Sequence, residues 1–378
     1  MNYLKAACGF VCFLVLASNV WSISRWNESR GVYDDVCYLR QAHLFQRFGL
    51  GGLDTNLSRD DDRYLASKLK EIGFSAEQQP PCHTLMPATS KLVMQYPPGT
   101  GFVLASFPEG FQVIPLYVLA TAIIFGLALL GIYHARTTPS IFLAAAFGLV
   151  AIYLMINPTK ASYSMAPTMV VCALAGFLTA RFFSAGQPPR RLLLAGLIGL
   201  LIGVAVNFRL PNLFLSSGYL LFFVVSFLWS RKAEVALQGA LFGAAFLLGM
   251  TPTLLANAIN AGSPFSTTYG GADVTPPDFS FGIIWQYVAD LQFVLLVLAG
   301  AWTVLMWRSN RKDGMSRIAL VTAGNLLLNM AFFLSHPIFT PYYTIPIAML
   351  SLWSLLFASL TPPAEAVDEG PLGQAAKA

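Results

Sequence analysis

The sequence predicts an all-α fold: a polytopic transmembrane helix bundle of about ten spans whose first outer loop is long and partly helical. Three observations carry this. Of the 378 residues, 56% are hydrophobic and only 11% are charged, well under the roughly 25% charge of an average soluble domain. Ten apolar runs approach the ~20 residues a helix needs to cross the hydrocarbon core. They are Leu4–Ile23, Val113–Tyr133, Ser140–Ile156, Tyr163–Ala180, Leu192–Asn207, Pro211–Trp229, Ala236–Ala256, Gly282–Trp307, Ile318–Leu334 and Tyr343–Leu360. Between the first two lies the one long polar stretch, Ser24–Gln112.

The first run reads as an anchor, or as a signal peptide with Lys5 as its only n-region cation. The third run is short and the eighth long. The eighth reads as an interfacial turn through Trp285, Gln286 and Tyr287 before a span that starts near Leu291. The membrane module therefore covers 1–360, and the Pro-, Ala- and Gly-rich 361–378 reads as a disordered cytoplasmic tail. With the N-terminus inside, the inner loops collect Arg136, Arg181, Arg190, Arg191, Arg231, Lys232, Arg308, Arg311, Lys312 and Arg317, and the short outer loops only Lys160 and Arg209. The Lys and Arg bias of short loops sets orientation, so both termini are expected in the cytoplasm and 24–112 outside, in a bacterial inner membrane. The net charge of +5 lies in these flanks. No basic run is interleaved with aromatics, so nucleic acid is not an expected partner.

Within the long loop, Gly31 to Gly49 reads as a turn followed by a helix, whose start Asp34 or Asp35 can cap. Val36, Leu39, Ala42, Phe45 and Phe48 share one face of it and Arg40, His43 and Arg47 the other, the pattern of a helix lying on the membrane surface. A second amphipathic helix is predicted from Asp60 to Ile72, with Asp60-Asp61-Asp62 at its positive end. Cys37 and Cys82 lie in this loop and are either a disulfide pair or two free thiols; Cys8, Cys12 and Cys172 fall in apolar runs. Asn27-Glu28-Ser29 and Asn56-Leu57-Ser58 match the N-glycosylation pattern, which matters only in a eukaryotic secretory pathway.

Four pieces then occur in order on the outer side. Asp34-Asp35 opens the first loop helix, and Pro97-Pro98 closes the loop. Asn207-Phe208-Arg209-Leu210-Pro211 sits at an outer helix end, and Asn260-Ala261-Gly262-Ser263-Pro264-Phe265 is followed by Tyr269-Gly270. This series resembles the GT-C glycosyltransferases, the group that includes the protein O-mannosyltransferases of glycosyltransferase family 39 and the bacterial aminoarabinose transferases. The resemblance spans the membrane region, and the Gly-Ser-Pro-Phe…Tyr-Gly loop is its most specific part. Two positions depart from it. Tyr96 stands before the Pro-Pro turn where many members have Lys, with Lys91 the nearest cation. The last outer turn, His336-Pro337-Ile338-Phe339-Thr340-Pro341-Tyr342-Tyr343, lacks the group's Arg.

The resemblance implies a transferase that moves a sugar from a polyprenyl-phosphate donor to a hydroxyl of a lipid, glycan or protein acceptor. Such chemistry needs a carboxylate to take the hydroxyl proton and cations for the leaving phosphate. Asp34 is the expected base, with Asp35 orienting it or binding sugar. Arg209 is the expected phosphate ligand, because its planar fork suits phosphate oxygens, with Lys160, His336 and Lys91 as further cations. Tyr269, Tyr96, Tyr342 and Asp290 are candidates for substrate contact. One displacement would invert the anomeric centre. No cofactor is required, although an acidic pair is also competent to hold a divalent metal. Each residue has a plainer reading: Asp34 and Asp35 as helix caps, Arg209 and Lys160 as snorkelling cations, His336 bound to a carbonyl, Tyr269 as packing. Asp290, an acid in an apolar run, is a functional candidate by position or simply reaches the interface. The competing function is a polytopic transporter or lipid flippase; few charges lie inside the spans, where transporters place their sites.

Overall fold

The computed structural model describes residues 1–28, 33–74, 80–270, 277–308, 313–336 and 339–360. After α1 (Asn2–Ile23), the long loop folds as α2 (Tyr33–Phe48), α3 (Tyr64–Glu71), a hairpin of β1 (His83–Met86) and β2 (Lys91–Met94), and α4 (Gly99–Leu104). Then come α5 (Val113–His134), α6 (Thr138–Leu154), α7 (Met165–Ser184), α8 (Pro188–Val206), α9 (Ser217–Ser230), α10 (Ala233–Gly249), α11 (Thr251–Ala261), α12 (Phe281–Ala289), α13 (Phe293–Arg308), α14 (Asp313–Ser335) and α15 (Ile345–Leu360). The tail 361–378, Ser29 of the first glycosylation pattern, the predicted turn at Gly31, the inner-loop cations Arg311 and Lys312, and Pro337-Ile338 lie outside the described residues.

Among the described residues, seven helices are long and apolar enough to cross a membrane, or nine crossings if each of two bent pairs counts as one. The expected count of ten differs for physical reasons. The predicted seventh span is broken into α10 and α11, bent by 51°. Pro252 stands in the first turn of α11, where it has no N–H to give and its ring crowds the carbonyl four residues back. The predicted eighth is broken into α12 and α13, bent by 83°, close to the expected start of its span near Leu291, with Asp290 extended at the corner and its Oδ1 accepting from the Gln292 N–H at 2.8 Å. The tenth, α15, has 16 residues and is about 24 Å long. It is buried along nearly its whole length, Trp353 included at 0% exposure, so it is a central post of the bundle and not a lipid-facing helix.

Helices pack closely where side chains vanish. On α8, a Cβ at Gly199 would stand 2.2 Å from the Phe242 carbonyl oxygen, and one at Gly203 2.1 Å from that of Phe246. This four-residue spacing of glycines lets the backbones of α8 and α10 touch. By contrast, α1 and the outer faces of α9 and α13 leave Phe10, Leu14, Val224, Leu228, Leu298 and Leu305 exposed, as a lipid-facing surface would.

The long loop is a small compact unit. Val36 packs against Leu65 and Leu69, while Leu39 and Ala42 join the main core. The reading of α2 as a helix with one polar face at the membrane surface is corrected here: Arg40, on the supposed polar face, is fully buried. Its guanidinium donates to the carbonyls of Thr55 at 3.0 Å and Asn56 at 3.1 Å, meets His83 Nε2 at 3.1 Å and lies 3.7 Å from Asp60. Both faces of α2 are therefore largely covered as far as Phe45, and only its last turn, Gln46 to Phe48, is exposed. The second helix starts at Tyr64 rather than Asp60. The Asp60 carboxylate accepts from the Leu65 N–H at 2.9 Å, and Asp61 and Asp62 pair with Arg47 at 2.6 and 2.9 Å. Cys37 of α2 and Cys82 before β1 are joined by a disulfide. The hairpin, with His83 opposite Met94 and Met86 opposite Lys91, was not predicted.

Burial, then the neighbouring Arg40, lowers the His83 imidazole from its ordinary 6.5 to about 4. Neutral His83 donates from Nδ1 to the Pro81 carbonyl at 2.8 Å and presents its Nε2 lone pair to Arg40; a second proton would face the guanidinium. Unfolding lets the ring take that proton earlier, so the stability it supports is complete above about pH 6.5 and lost as pH falls towards 4, on the order of 3 kcal/mol in all. The protection of residues 33–74 and 80–94 against hydrogen exchange, taken relative to the intrinsic rate at each pH, should therefore fall between pH 6.5 and 4.5, and His83→Gln should flatten that dependence. An identical pH response in the variant would remove His83 as its cause.

Candidate functional site

The loop sits on one end of the bundle, held by two asparagines. Asn207 closes α8. Its Nδ2 donates to the Gly249 carbonyl at 2.7 Å, its Oδ1 accepts from the N–H and hydroxyl of Thr253 at 3.0 and 2.8 Å, and its own carbonyl accepts from the Gly99 N–H at 2.7 Å. Asn260, near the end of α11, accepts from the Thr55 N–H at 3.0 Å and donates to the Leu53 carbonyl at 2.8 Å. One side chain thus spans the break between α10 and α11, and the other fixes the loop on α11.

Where loop and bundle meet there is a cavity of about 100 Å³, lined by Asp34, Tyr38, Gln95, Tyr96, Ser162, Arg209, Pro211, Tyr269, Tyr342 and Tyr343. Asp34 comes from the first turn of α2. The Tyr96 hydroxyl donates to its Oδ1 at 2.5 Å, and the Tyr96 ring stacks on Tyr38 at 4.9 Å and meets Tyr269 edge-on at 6.2 Å. Arg209 follows the end of α8 in extended backbone, just before a 3-10 turn that Pro211 helps to start. Its side chain is 7% exposed. The guanidinium lies 4.8 Å from the centre of the Tyr342 ring and 4.6 Å from that of Tyr343, and Nη1 is 2.6 Å from the Met165 sulfur. Cation–π contacts of this kind hold a guanidinium without neutralising it.

Burial, then the Asp34 charge, pushes the Tyr96 hydroxyl far above the ordinary tyrosine range. Tyr269 is likewise raised well above it by burial first, and burial raises Tyr342 to about 12 against the lowering effect of Arg209. These tyrosines are neutral hydrogen-bonding walls at physiological pH. Among the described residues, the formal charges lining the cavity are one carboxylate and one guanidinium.

Five of the residues expected from sequence are thus brought together: Asp34, Tyr96, Arg209, Tyr269 and Tyr342. Five others lie elsewhere. Asp35 is fully buried and acts on Tyr342 through its charge, but does not line the cavity. Lys160 is exposed in a 3-10 turn. Lys91 pairs with Asp54 at 3.2 Å and donates to the Ile259 carbonyl at 3.1 Å. His336 stacks on Phe332 at 5.7 Å, and Asp290 closes α12 and accepts from the Gln292 N–H in the corner before α13. Tyr38, Tyr343, Gln95 and Ser162 were missed; the Tyr342-Tyr343 doublet was the one available hint. Among the described residues, Cys37, Cys82 and His83 form a close cluster of metal-ligand atom types. The sulfurs are bonded to each other, and the two ring nitrogens of His83 face Pro81 and Arg40, so this cluster has no ligand set to offer.

No family model matches the chain, and neither a curated protein nor a solved structure matches it. Fold and site together define a helical integral membrane protein with a polar, tyrosine-walled cavity at one end of its bundle.

Proposed function

We propose that the protein is an inverting glycosyltransferase that uses a polyprenyl-phosphate sugar at the outer face of a bacterial inner membrane, with Asp34 as general base and Arg209 as phosphate ligand. The carrying observation is that one carboxylate and one desolvated guanidinium, distant in sequence, line one cavity at the loop end of the bundle. The acceptor hydroxyl attacks the anomeric carbon and passes its proton to Asp34. The new glycosidic C–O bond forms as the bond from that carbon to the phosphate oxygen breaks, and polyprenyl phosphate leaves with the electron pair beside Arg209. In a site walled by neutral rings, a fixed guanidinium stabilises the charge gathering on the leaving oxygen more than water would. The cavity is smaller than the roughly 300–1,000 Å³ of sites that enclose a small molecule, so the prenyl chain and part of the sugar lie outside it.

The test is release of free polyprenyl phosphate, followed by mass spectrometry, when the purified protein in lipid receives a panel of polyprenyl-phosphate sugars and a lipid and glycan extract. Release that needs both donor and extract is expected. No release with any donor would count against the reading and favour the transporter alternative, which the two broken helix pairs favour on structural grounds, since transporters build sites from discontinuous helices. Arg209→Lys keeps the charge but loses the fork. It is expected to raise the KM for donor about tenfold, the scale of one charge-assisted hydrogen bond, with a smaller change in kcat. An unchanged KM would take the phosphate away from Arg209.

A further inference from the structure

α7 runs from Met165, against Arg209, to Phe182 and Phe183 at its far end, about 26 Å away along the helix. At that far end a second hollow, of about 410 Å³, opens between α7, α8, α9, α10 and α14. Its floor is aromatic. Phe182 meets Phe223 at 6.0 Å, Phe183 meets Phe222 at 5.1 Å, and Trp229 stands at the edge with 87% of its surface exposed. Its rim is cationic, and the cations come from three places: Arg191 in α8, Lys232 between α9 and α10, and Arg317 in α14. Arg191 is fixed by donation from Nε to the Ala185 carbonyl at 2.7 Å. None of the described side chains, which do not include that of Asp313, forms an ion pair with any of the three. The one carboxylate in the lining, Glu234, accepts from Gln238 at 3.0 Å.

Three cations and one engaged acid above an aromatic floor suit an amphiphile with an anionic head. The geometry points to a binding site for the phosphate head of an anionic membrane phospholipid, at the end of the bundle opposite the Asp34–Arg209 cavity. The occupant is a lipid rather than a free anion because the rim opens onto the exposed apolar face of α9. Leu221, Val224 and Leu228 there are 42%, 55% and 52% exposed, a track along which acyl chains can lie. Basic pockets between helices at a membrane boundary are suited to such heads, and a guanidinium already oriented by one backbone bond loses less freedom on binding phosphate.

The test is native mass spectrometry of the protein in detergent, titrated with phosphatidylglycerol and with phosphatidylcholine of the same chains. Phosphatidylglycerol is expected to bind about tenfold more tightly or better, and Lys232→Gln with Arg317→Gln to weaken it about tenfold or more, the scale of a lost charge-assisted hydrogen bond. Both side chains are exposed, so the double variant keeps the packing. Arg191→Lys, a separate check, should retain most of the preference. Equal binding of the two lipids, or an unchanged affinity in the double variant, would overturn the site. Displacement of phosphatidylglycerol by an equal concentration of inorganic phosphate would make it a free-anion site and overturn the lipid assignment.

Discussion

Asp34→Asn is expected to lower the rate of sugar transfer by about 10² to 10⁴, the usual contribution of a positioned general base, while leaving the melting temperature of the protein nearly unchanged. The asparagine is close to isosteric and its amide oxygen still accepts from the Tyr96 hydroxyl, the 2.5 Å bond that ties α2 to the turn before Pro97. What it cannot do is take a proton. Rates of polyprenyl-phosphate release measured on wild type and variant at saturating donor separate this from a binding defect. A variant that transfers sugar at the wild-type rate would exclude Asp34 as the base and turn attention to Asp35, buried one residue further on.

Gly203→Val is expected to destabilise the bundle by about 3 kcal/mol or more, at the upper end of overpacking costs because the obstructing atoms are backbone. A Cβ there would stand 2.1 Å from the Phe246 carbonyl oxygen and 2.9 Å from its carbon, so α8 and α10 must part. Parting them stretches the Asn207–Gly249 bond of 2.7 Å, and with it the turn that presents Arg209. Transfer should therefore fall together with stability. Gly243→Ala on α10 is the control, since a Cβ at that position meets nothing within 4 Å. Thermal aggregation in detergent, followed by size-exclusion chromatography, should show a large loss for Gly203→Val and little for Gly243→Ala. Equal behaviour of the two would refute close backbone contact as the bond between these helices.

Much of this was legible in the sequence. Helix existence followed from run length and lack of charge, which need only local information. Asp34, Arg209 and Tyr269 stood out because the short motifs that contain them resemble, in order, those of the GT-C glycosyltransferases. The bend at Met250 had a visible signal in Pro252, outweighed by the apolar run around it. Strands as short as His83–Met86 and Lys91–Met94 give too few alternations to read. The roles of Lys91, Asp290 and His336 were not legible, because a cation or acid at a helix end is equally suited to capping, pairing or catalysis until its neighbours in space are known. Arg40 shows the same limit. Its helical position marks it as polar-faced, and only the 50s turn and the hairpin, brought over it by the fold, make that face an interior.

The asparagine that pins the loop to α11 has its partner Thr55 205 residues earlier in the chain. About 150 residues separate the end of the loop from Asn260, and at 5–20 residues per second their synthesis occupies roughly 7–30 s. Throughout that time the loop has no α11 to rest on. Its own crosslink, between cysteines 45 residues apart, needs nothing made later. During biogenesis that crosslink is therefore free to close early, and the loop can be seated on α11 only when the seventh hydrophobic segment has been made.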